Sequence, residues 1–461
     1  MISANQEKLP DPVVPLGLAY LSASLKGKGH EPFCLDLCFS ENIEESLRGA
    51  ILAFHPQAIG LSLRNVDNVA FPQTTSYLPF FREVIQYCRR FTAVPIVLGG
   101  AGFTLMPRAI LDDLGADAGI AGEGEELFPQ ILEAGIGAIK VDGLVVPGSA
   151  NFIPAARIED FDSLPPPDWD GIQLTEYFQR GGMGNLQTKR GCPFGCIYCT
   201  YPLIEGKSIR LRSPGKVAAE AETLVRQGIE NVFIVDNIFN FPETHAEDVC
   251  RALIEKELPI QWSCYAHPTF FSPFLAESMK RAGCTGVEFG IDSGSLPVLE
   301  KLGKQFSPEG IRLATRFARE AGLEVCHSLS LGAPGETEAT LQETFALMEE
   351  IAPTAVIAML GLRIFPGTGL ADLAEKEGLL PPDPDFLAPT FYLAPGVKEQ
   401  LLEWAPKVAG MHPNSIFPGL GINVSPRLQA KLRKIGIKGP LWEHMKILRG
   451  WPVIKRGLHA R

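Results

Sequence analysis

Near the middle of the chain, Arg190-Gly191-Cys192-Pro193-Phe194-Gly195-Cys196-Ile197-Tyr198-Cys199 sets three cysteines at the spacing C-x3-C-x2-C. Iron–sulfur clusters are held by cysteine thiolates at short spacings of this kind. Pro193 and Gly195 allow the sharp bend that lets three thiolates converge. A cube of four irons needs four ligands, so three cysteines leave one iron open to an exogenous group. Tyr198 would lie over such a cluster. The competing reading is structural zinc, which takes four ligands, mostly as two separated pairs. The next Cys or His residues are His245, Cys250 and Cys264, so the loop offers zinc no fourth partner.

The strand and helix signals on either side of this loop are regular. Residues 1–145 alternate short apolar strands (31–37, 58–63, 95–98 and 118–121) with amphipathic helices. This pattern predicts a doubly wound parallel sheet. Such sheets bind ligands beyond the carboxyl ends of their strands. Two glycine clusters fall there: Gly99-Gly100-Ala101-Gly102 and Gly122-Glu123-Gly124-Glu125. Glycine permits a large ligand to approach the backbone. Neither cluster is a G-x-G-x-x-G opening the first helix, which disfavours a dinucleotide. Residues 146–184, with Pro165-Pro166-Pro167 and Asp160, Asp162, Asp168 and Asp170, read as an irregular linker with little chemistry. Residues 185–380 carry about six βα units, fewer than the eight of a closed barrel. Residues 381–461 form a mostly helical region. From Arg427 onward it holds ten Lys and Arg residues against Glu443 alone, a basic end that fits a closing helical face or a contact with an anionic partner.

Together these features resemble the radical S-adenosylmethionine (SAM) enzymes, and within them the cobalamin (B12)-dependent group. The resemblance implies an α/β protein: a Rossmann-like cobalamin-binding domain, then a partial (β/α)6 barrel. In that family a Ser after the third strand and a Gly-Gly after the fourth line the groove for the cofactor's nucleotide tail. Ser62, Gly99 and Gly100 match them, with Gly102, Gly122 and Glu123 on the same edge. The Asp-x-His-x-x-Gly motif that supplies a cobalt ligand in other B12 proteins is absent, and His30 and His55 lack its context. Arg64 and Asn65 follow the third strand where they could meet the corrin. A guanidinium has no lone pair to give cobalt, so Arg64 would disfavour a ligand on that face. By family order, Asp236 and Asn237 correspond to the motif holding the SAM amino group. Asp292 and Ser293 correspond to the element near the SAM ribose and carboxylate. Glu336 flanks the adenine side, and Arg363 belongs to the last-strand motif. Tyr265 and His267, after the third barrel strand, are the candidates to touch substrate or move a proton.

The cofactors so implied are a [4Fe-4S] cluster, SAM and cobalamin. The implied activity is methyl transfer from SAM, by way of cobalamin, to a carbon of a small molecule or peptide. A B12-dependent radical SAM cyclase, rearrangement or oxidation catalyst would use the same parts without net methylation. A methylthiotransferase with a second cluster on Cys34, Cys38 and Cys88 is a weaker fit, as is a non-catalytic cobalamin carrier. The expected redox partner is an electron donor such as flavodoxin or ferredoxin. The net charge of −11 argues against nucleic acid as a partner. No run of 18 or more apolar residues occurs, so no membrane span is expected. The ten cysteines, scattered apart from the triplet, suggest a reducing cytoplasm. A monomer is expected.

Overall fold

The computed structural model of the chain describes residues 1–136, 138–148, 153–422 and 426–445. Half of the basic end noted above (Lys446, Arg449, Lys455, Arg456 and Arg461) lies outside them.

The N-terminal sheet contains β1 (Ile2–Ser3), β2 (Leu35–Asp36), β3 (Ile59–Ser62), β4 (Ile96–Gly99), β5 (Ala118–Ile120) and β6 (Leu144–Val145). Their order is β2-β1-β3-β4-β5-β6. All pairs are parallel except β5–β6. The direction of winding reverses between β1 and β3, the position where open α/β sheets bind ligands. β1 is central yet escapes sequence reading. Two residues cannot display a period, and Ile2 earns its place only by pairing with both Leu35 and Leu61.

The second unit is built on β7 (Gly184–Leu186). A small antiparallel ladder, β8 (Lys189–Arg190) with β9 (Arg210–Leu211), brackets the cysteine loop. The barrel continues through β10 (Asn231–Ile234), β11 (Gln261–Ala266), β12 (Cys284–Asp292), β13 (Glu324–Leu331) and β14 (Ala355–Leu360). A second ladder joins β15 (Leu362–Arg363) to β16 (Phe391–Tyr392), and β17 (Ser415–Ile416) lies in the C-terminal region. The main sheet runs β17-β14-β13-β12-β11-β10-β7, all parallel. Its end strands β7 and β17 do not pair among the described residues, so the barrel is open. The expected six strands are present, and the tail adds β17 as a seventh.

Inward-facing residues of a barrel form layers. The lowest is closed by the tail. Trp442 packs with Cys326, Ala355, Leu432 and Met445. A Cβ on Gly286 would stand 2.7 Å from the Trp442 ring. With the amino-terminal end plugged, only the carboxyl end of the barrel remains open for chemistry. The proline-rich segment is packed rather than loose. Ile172, Leu174, Tyr177 and Phe178 join one core with helix Leu16–Gly27 and the barrel. Its acids serve as anchors: Asp168 accepts from Ser22 Oγ (2.5 Å) and Asp162 from the Ser213 amide (2.9 Å).

Candidate active site

The cysteine loop is fastened at both ends. Cys192 N donates to Gly206 O (3.0 Å), Gly191 N to Glu205 Oε2 (3.0 Å) and Ile197 N to Leu302 O (3.1 Å). Gly191 has φ +94°, and a Cβ there would fall 2.0 Å from Ser208 O, so only glycine fits. Phe194 stacks on His267 at 4.7 Å, with Phe241 and Phe270 around it. Cys192 is buried; Cys196 and Cys199 are partly exposed. Burial pushes all three thiols above their ordinary range, Cys199 to about 12; the Cys196 charge adds to the effect on Cys192, and the Cys196 and Cys192 charges to that on Cys199. Three buried, charge-opposed thiols in one loop call for a cationic centre to hold them deprotonated. An iron–sulfur cluster, with one thiolate per iron, fits this donor set.

Around the loop the candidate side chains divide into two kinds. Several are fully engaged within the protein. Asp236 is buried, with Oδ1 accepting from Thr188 N (2.7 Å) and Lys189 N (3.2 Å) and Oδ2 accepting from Thr188 Oγ1. Burial raises it to about 6 despite Lys189. It fixes the turn between β7 and β8. Ser293 is fully buried, paired with Thr344 Oγ1 (3.1 Å) and accepting from Ser295 N (3.1 Å), and so caps a turn. Arg363 spends its donors on Asp67 Oδ2 (2.9 Å), Ile364 O (2.6 Å), Phe386 O (2.7 Å) and Thr390 O (3.4 Å). It clamps the two domains through Asp67. His267 was a candidate proton carrier. Its ring is buried among Phe194, Phe270 and Phe306, and its Nδ1 accepts from Thr269 N (3.2 Å). Burial lowers it to about 4, so it is a neutral support beneath the cysteine loop.

Others keep unmet capacity. Asn237 Nδ2 donates to Glu205 Oε2 (2.7 Å), but Asn237 Oδ1 is buried without a partner. Glu336 Oε2 accepts from Gly332 N and Ala333 N, while Oε1 is buried and unpaired. Burial raises Glu336 to about 7. Orphaned polar atoms beside the cysteine loop and at a barrel strand end are what a polar cosubstrate such as SAM would satisfy. Asp292 sits between these classes. Its Oδ1 accepts from Ser330 Oγ (2.8 Å), and its Oδ2 from Tyr198 OH (2.6 Å) and Lys304. It holds φ +64°, an unusual conformation for a residue other than glycine, at a register shift in β12. Lys304 also donates to Gly290 O (3.0 Å) and faces Cys196. Sequence reading missed both Lys304 and Glu205; the first follows a helix-ending glycine, Gly303, and the second lies six residues after Cys199.

On the N-terminal domain, Gly100 has φ +97° and a Cβ there would lie 2.7 Å from Leu63 O. Gly102 approaches the backbone of residues 63–65 equally closely. Leu63 N donates to Gly99 O (2.7 Å) and Gly102 N to Leu63 O (2.9 Å). These glycines therefore seat the loop after β3 against the loop after β4. Ser62 and Gly99 end neighbouring strands in register. Gly122, at φ +112°, donates to Thr104 Oγ1 (3.0 Å). Glu123 has no lone pair to spare: Arg210 grips it bidentately (2.7 and 2.7 Å), Ile158 N donates to it (2.8 Å) and Arg190 stands at 3.4 Å. Burial opposes its ionisation, but Arg210 and Arg190 prevail and hold it below the usual carboxylate range. Arg190, next to the cysteine loop, also binds Glu125 (2.6 Å). Glu123 thus fastens the two domains and is no cofactor ligand. His30 and His55 both precede strands, on the edge away from the glycine clusters.

The two edges meet. The short helix Ala101–Leu105 packs on helix Tyr201–Ile204, directly after Cys199. Arg64 and Asn65 are exposed there. Among the described residues Arg64 makes no ion pair, and its charge bears on Tyr201 and Tyr265 of the barrel. Tyr201 and Tyr265 are 42% and 39% accessible. Deeper in the barrel, Glu288 pairs in register with Tyr265 and accepts from Ser328 Oγ. The charge of Glu288, then burial, raises Tyr265 well above the ordinary tyrosine range. Cys34, Cys38 and Cys88, the candidate ligands of a second cluster, are all buried, with Cys88 in a different core from the other two.

A parallel α/β domain whose glycine-rich edge packs on the helix that follows a three-thiol loop defines an enzyme class with two cofactor centres. Comparison with known proteins agrees. The B12 binding domain matches residues 3–132 and the radical SAM superfamily matches residues 186–348. Tryptophan 2-C-methyltransferase of Streptomyces laurentii is 27% identical over 445 residues, covering 81% of this chain and 74% of that protein. An anaerobic magnesium-protoporphyrin IX monomethyl ester cyclase of Rubrivivax gelatinosus is 26% identical over 361 residues, covering 74% of this chain and 62% of that one. The structure of the radical SAM methyltransferase TsrM from Kitasatospora setae, with cobalamin and a [4Fe-4S] cluster, superposes with a TM-score of 0.84 at 23% identity over 99% of this chain and 98% of that chain. The chain belongs to the radical SAM enzymes that carry a B12-binding domain, with SAM, a [4Fe-4S] cluster and cobalamin as its cofactors.

Proposed function

We propose that this enzyme moves a methyl group from SAM to a carbon centre of a small molecule, in the cavity between the glycine edge and the barrel mouth. The observation that carries the reading is the packing of Ala101–Leu105 on Tyr201–Ile204, which sets the two cofactor edges against each other. When bound, the cluster supplies an electron and an open iron, and cobalamin supplies a methyl carrier.

The protein's own part is placement. Cys192, Cys196 and Cys199 hold the cluster. Asn237, Glu336 and the Tyr198–Asp292–Lys304 group surround the position for SAM. Ser62, Gly99, Gly100 and Gly102 border the cobalamin groove, with Gly122 on the same edge. Arg64, with Asn65 beside it, presents a cation that cannot ligate cobalt, which keeps that face free of a protein ligand. Tyr265, with Glu288 and Ser328 below it and Phe233 against its ring (5.0 Å), is the substrate-facing wall. A wall of rings with a few polar groups suits a small, partly apolar substrate. Tryptophan, the amino acid named for the Streptomyces relative, is the first compound to test. The ten free cysteines fit a reducing, cytoplasmic setting, and a flavodoxin or ferredoxin is the proposed donor.

The test is anaerobic reconstitution with methyl-labelled SAM and a panel led by tryptophan. A product one CH2 heavier that carries the label supports methyl transfer. Turnover without mass gain favours the cyclase or rearrangement reading, which the protoporphyrin cyclase similarity keeps in view.

A further inference from the structure

Arg64 sits on a three-residue arch, Arg64-Asn65-Val66, between fixed points. On one side Leu63 is bonded to Gly99 and Gly102. On the other, Asp67 is buried and held by Arg363 Nε at 2.9 Å, with both side chains almost wholly out of solvent. Arg363 is anchored to its own domain by three backbone carbonyls, so Asp67 is its one acceptor across the interface. Beyond Asp67 the loop is stiff. Asp67 Oδ1 accepts from Val69 N (2.9 Å), which holds Val69 at φ +46°, a conformation β-branched residues rarely adopt. Asn68 Oδ1 accepts from Thr75 N (2.9 Å), and Tyr77 N donates to Val66 O (2.8 Å). Phe71 bridges to Leu360 at the end of β14. Arg64 itself is exposed and makes no ion pair among the described residues, so the arch alone determines where its charge stands.

We propose that Arg363 and Asp67 form a positioning pair: the β15–β16 ladder that follows barrel strand β14 reaches across the interface and sets where Arg64 meets the cobalamin groove. This deepens the reading of Arg64 given above and rests on it. A barrel residue would thereby tune the cofactor of the other domain, with Asp67 as the coupling point.

The test uses the full chain loaded with cobalamin and cluster, and reads the cobalamin visible spectrum and the Co(II) EPR signal. Arg64→Ala sets the reference shift. Asp67→Asn removes the charge but keeps an acceptor for Val69 N. The double variant Asp67→Asn/Arg363→Gln leaves no buried charge unpaired, so it guards against simple misfolding. Both are expected to retain cobalamin and cluster and to shift the spectrum in the direction of Arg64→Ala. Wild-type spectra in both, alongside a shifted Arg64→Ala, would overturn the positioning role alone. An unshifted Arg64→Ala would overturn the reading of Arg64 and the pair with it. Folded, cluster-bearing variants that lose cobalamin would also overturn it, because the pair would then be building the binding site itself.

Discussion

Two sets of polar residues lie within a few strand ends of each other, and they differ in how fully they are paired. The domain seam is paired charge to charge: Arg190 with Glu125, Arg210 with Glu123, and Arg363 with Asp67, all deeply buried, although Arg210 Nε is left without a partner. The groups at the proposed site are not: among the described residues the side chains of Arg64 and Tyr265 carry no hydrogen bond, and Asn237 Oδ1 and Glu336 Oε1 are buried without one. A buried pair is expensive to break because the survivor is left charged without water. An exposed unpaired group makes little contribution to folding, a buried one such as Glu336 Oε1 weakens it, and both are available to a ligand. Pairing, not residue type or strand-end position, separates the hinge of this molecule from its active site.

That contrast can be broken in several ways. The largest effect is on the cluster. Replacing Cys192, Cys196 and Cys199 with Ala should remove all iron, about four per chain before the change, while cobalamin is retained. Parallel loss of cobalamin would show that the two centres are not separately held. Next comes the seam. Arg190→Ala strands Glu125 and part of Glu123, and should destabilise by roughly 3–5 kcal/mol in denaturant titrations. Glu336 gives a third test with a definite sign. Its carboxyl stands near 4.5 unfolded and about 7 folded. The folded state thus holds its proton longer, and stability falls as pH rises between those values, by about 3 kcal/mol in total. Glu336→Gln should raise the melting temperature of the cofactor-free protein at pH 8 and leave it unchanged near pH 4. A gain at both pH values would mean that the unpaired oxygen has no titration cost. The smallest stability effects belong to the cavity. Arg64→Ala and Tyr265→Phe should each change stability by no more than about 0.5 kcal/mol, yet Tyr265→Phe should raise the substrate KM. A large loss of stability in either would place it among the seam residues.

The same contrast explains what the sequence disclosed. The barrel strands were legible because each is an apolar run between a glycine turn and a capped helix, as at Ser272, Ser307 and Thr337. The cysteine loop was legible because its ligands are local. Arg363 and Asp67 are 296 residues apart, and nothing in the neighbourhood of either announces the other. Asp236 and Ser293 match family motifs, Glu123 lies on the glycine edge and His267 follows a barrel strand, and only their partners reveal that they are already engaged. Lys304 and Glu205 carry no motif and become visible only when folding sets them beside Cys196 and Gly191.

The central claim is that the cluster and cobalamin share one cavity across the seam. Microwave-power saturation of the Co(II) EPR signal, with the cluster oxidised and then reduced, tests it directly. The reduced, paramagnetic cluster should speed relaxation of the Co(II) spin and make its signal harder to saturate, and the effect should vanish in the Cys192/Cys196/Cys199→Ala protein. Identical saturation in both cluster states would place the two centres too far apart for the cavity described.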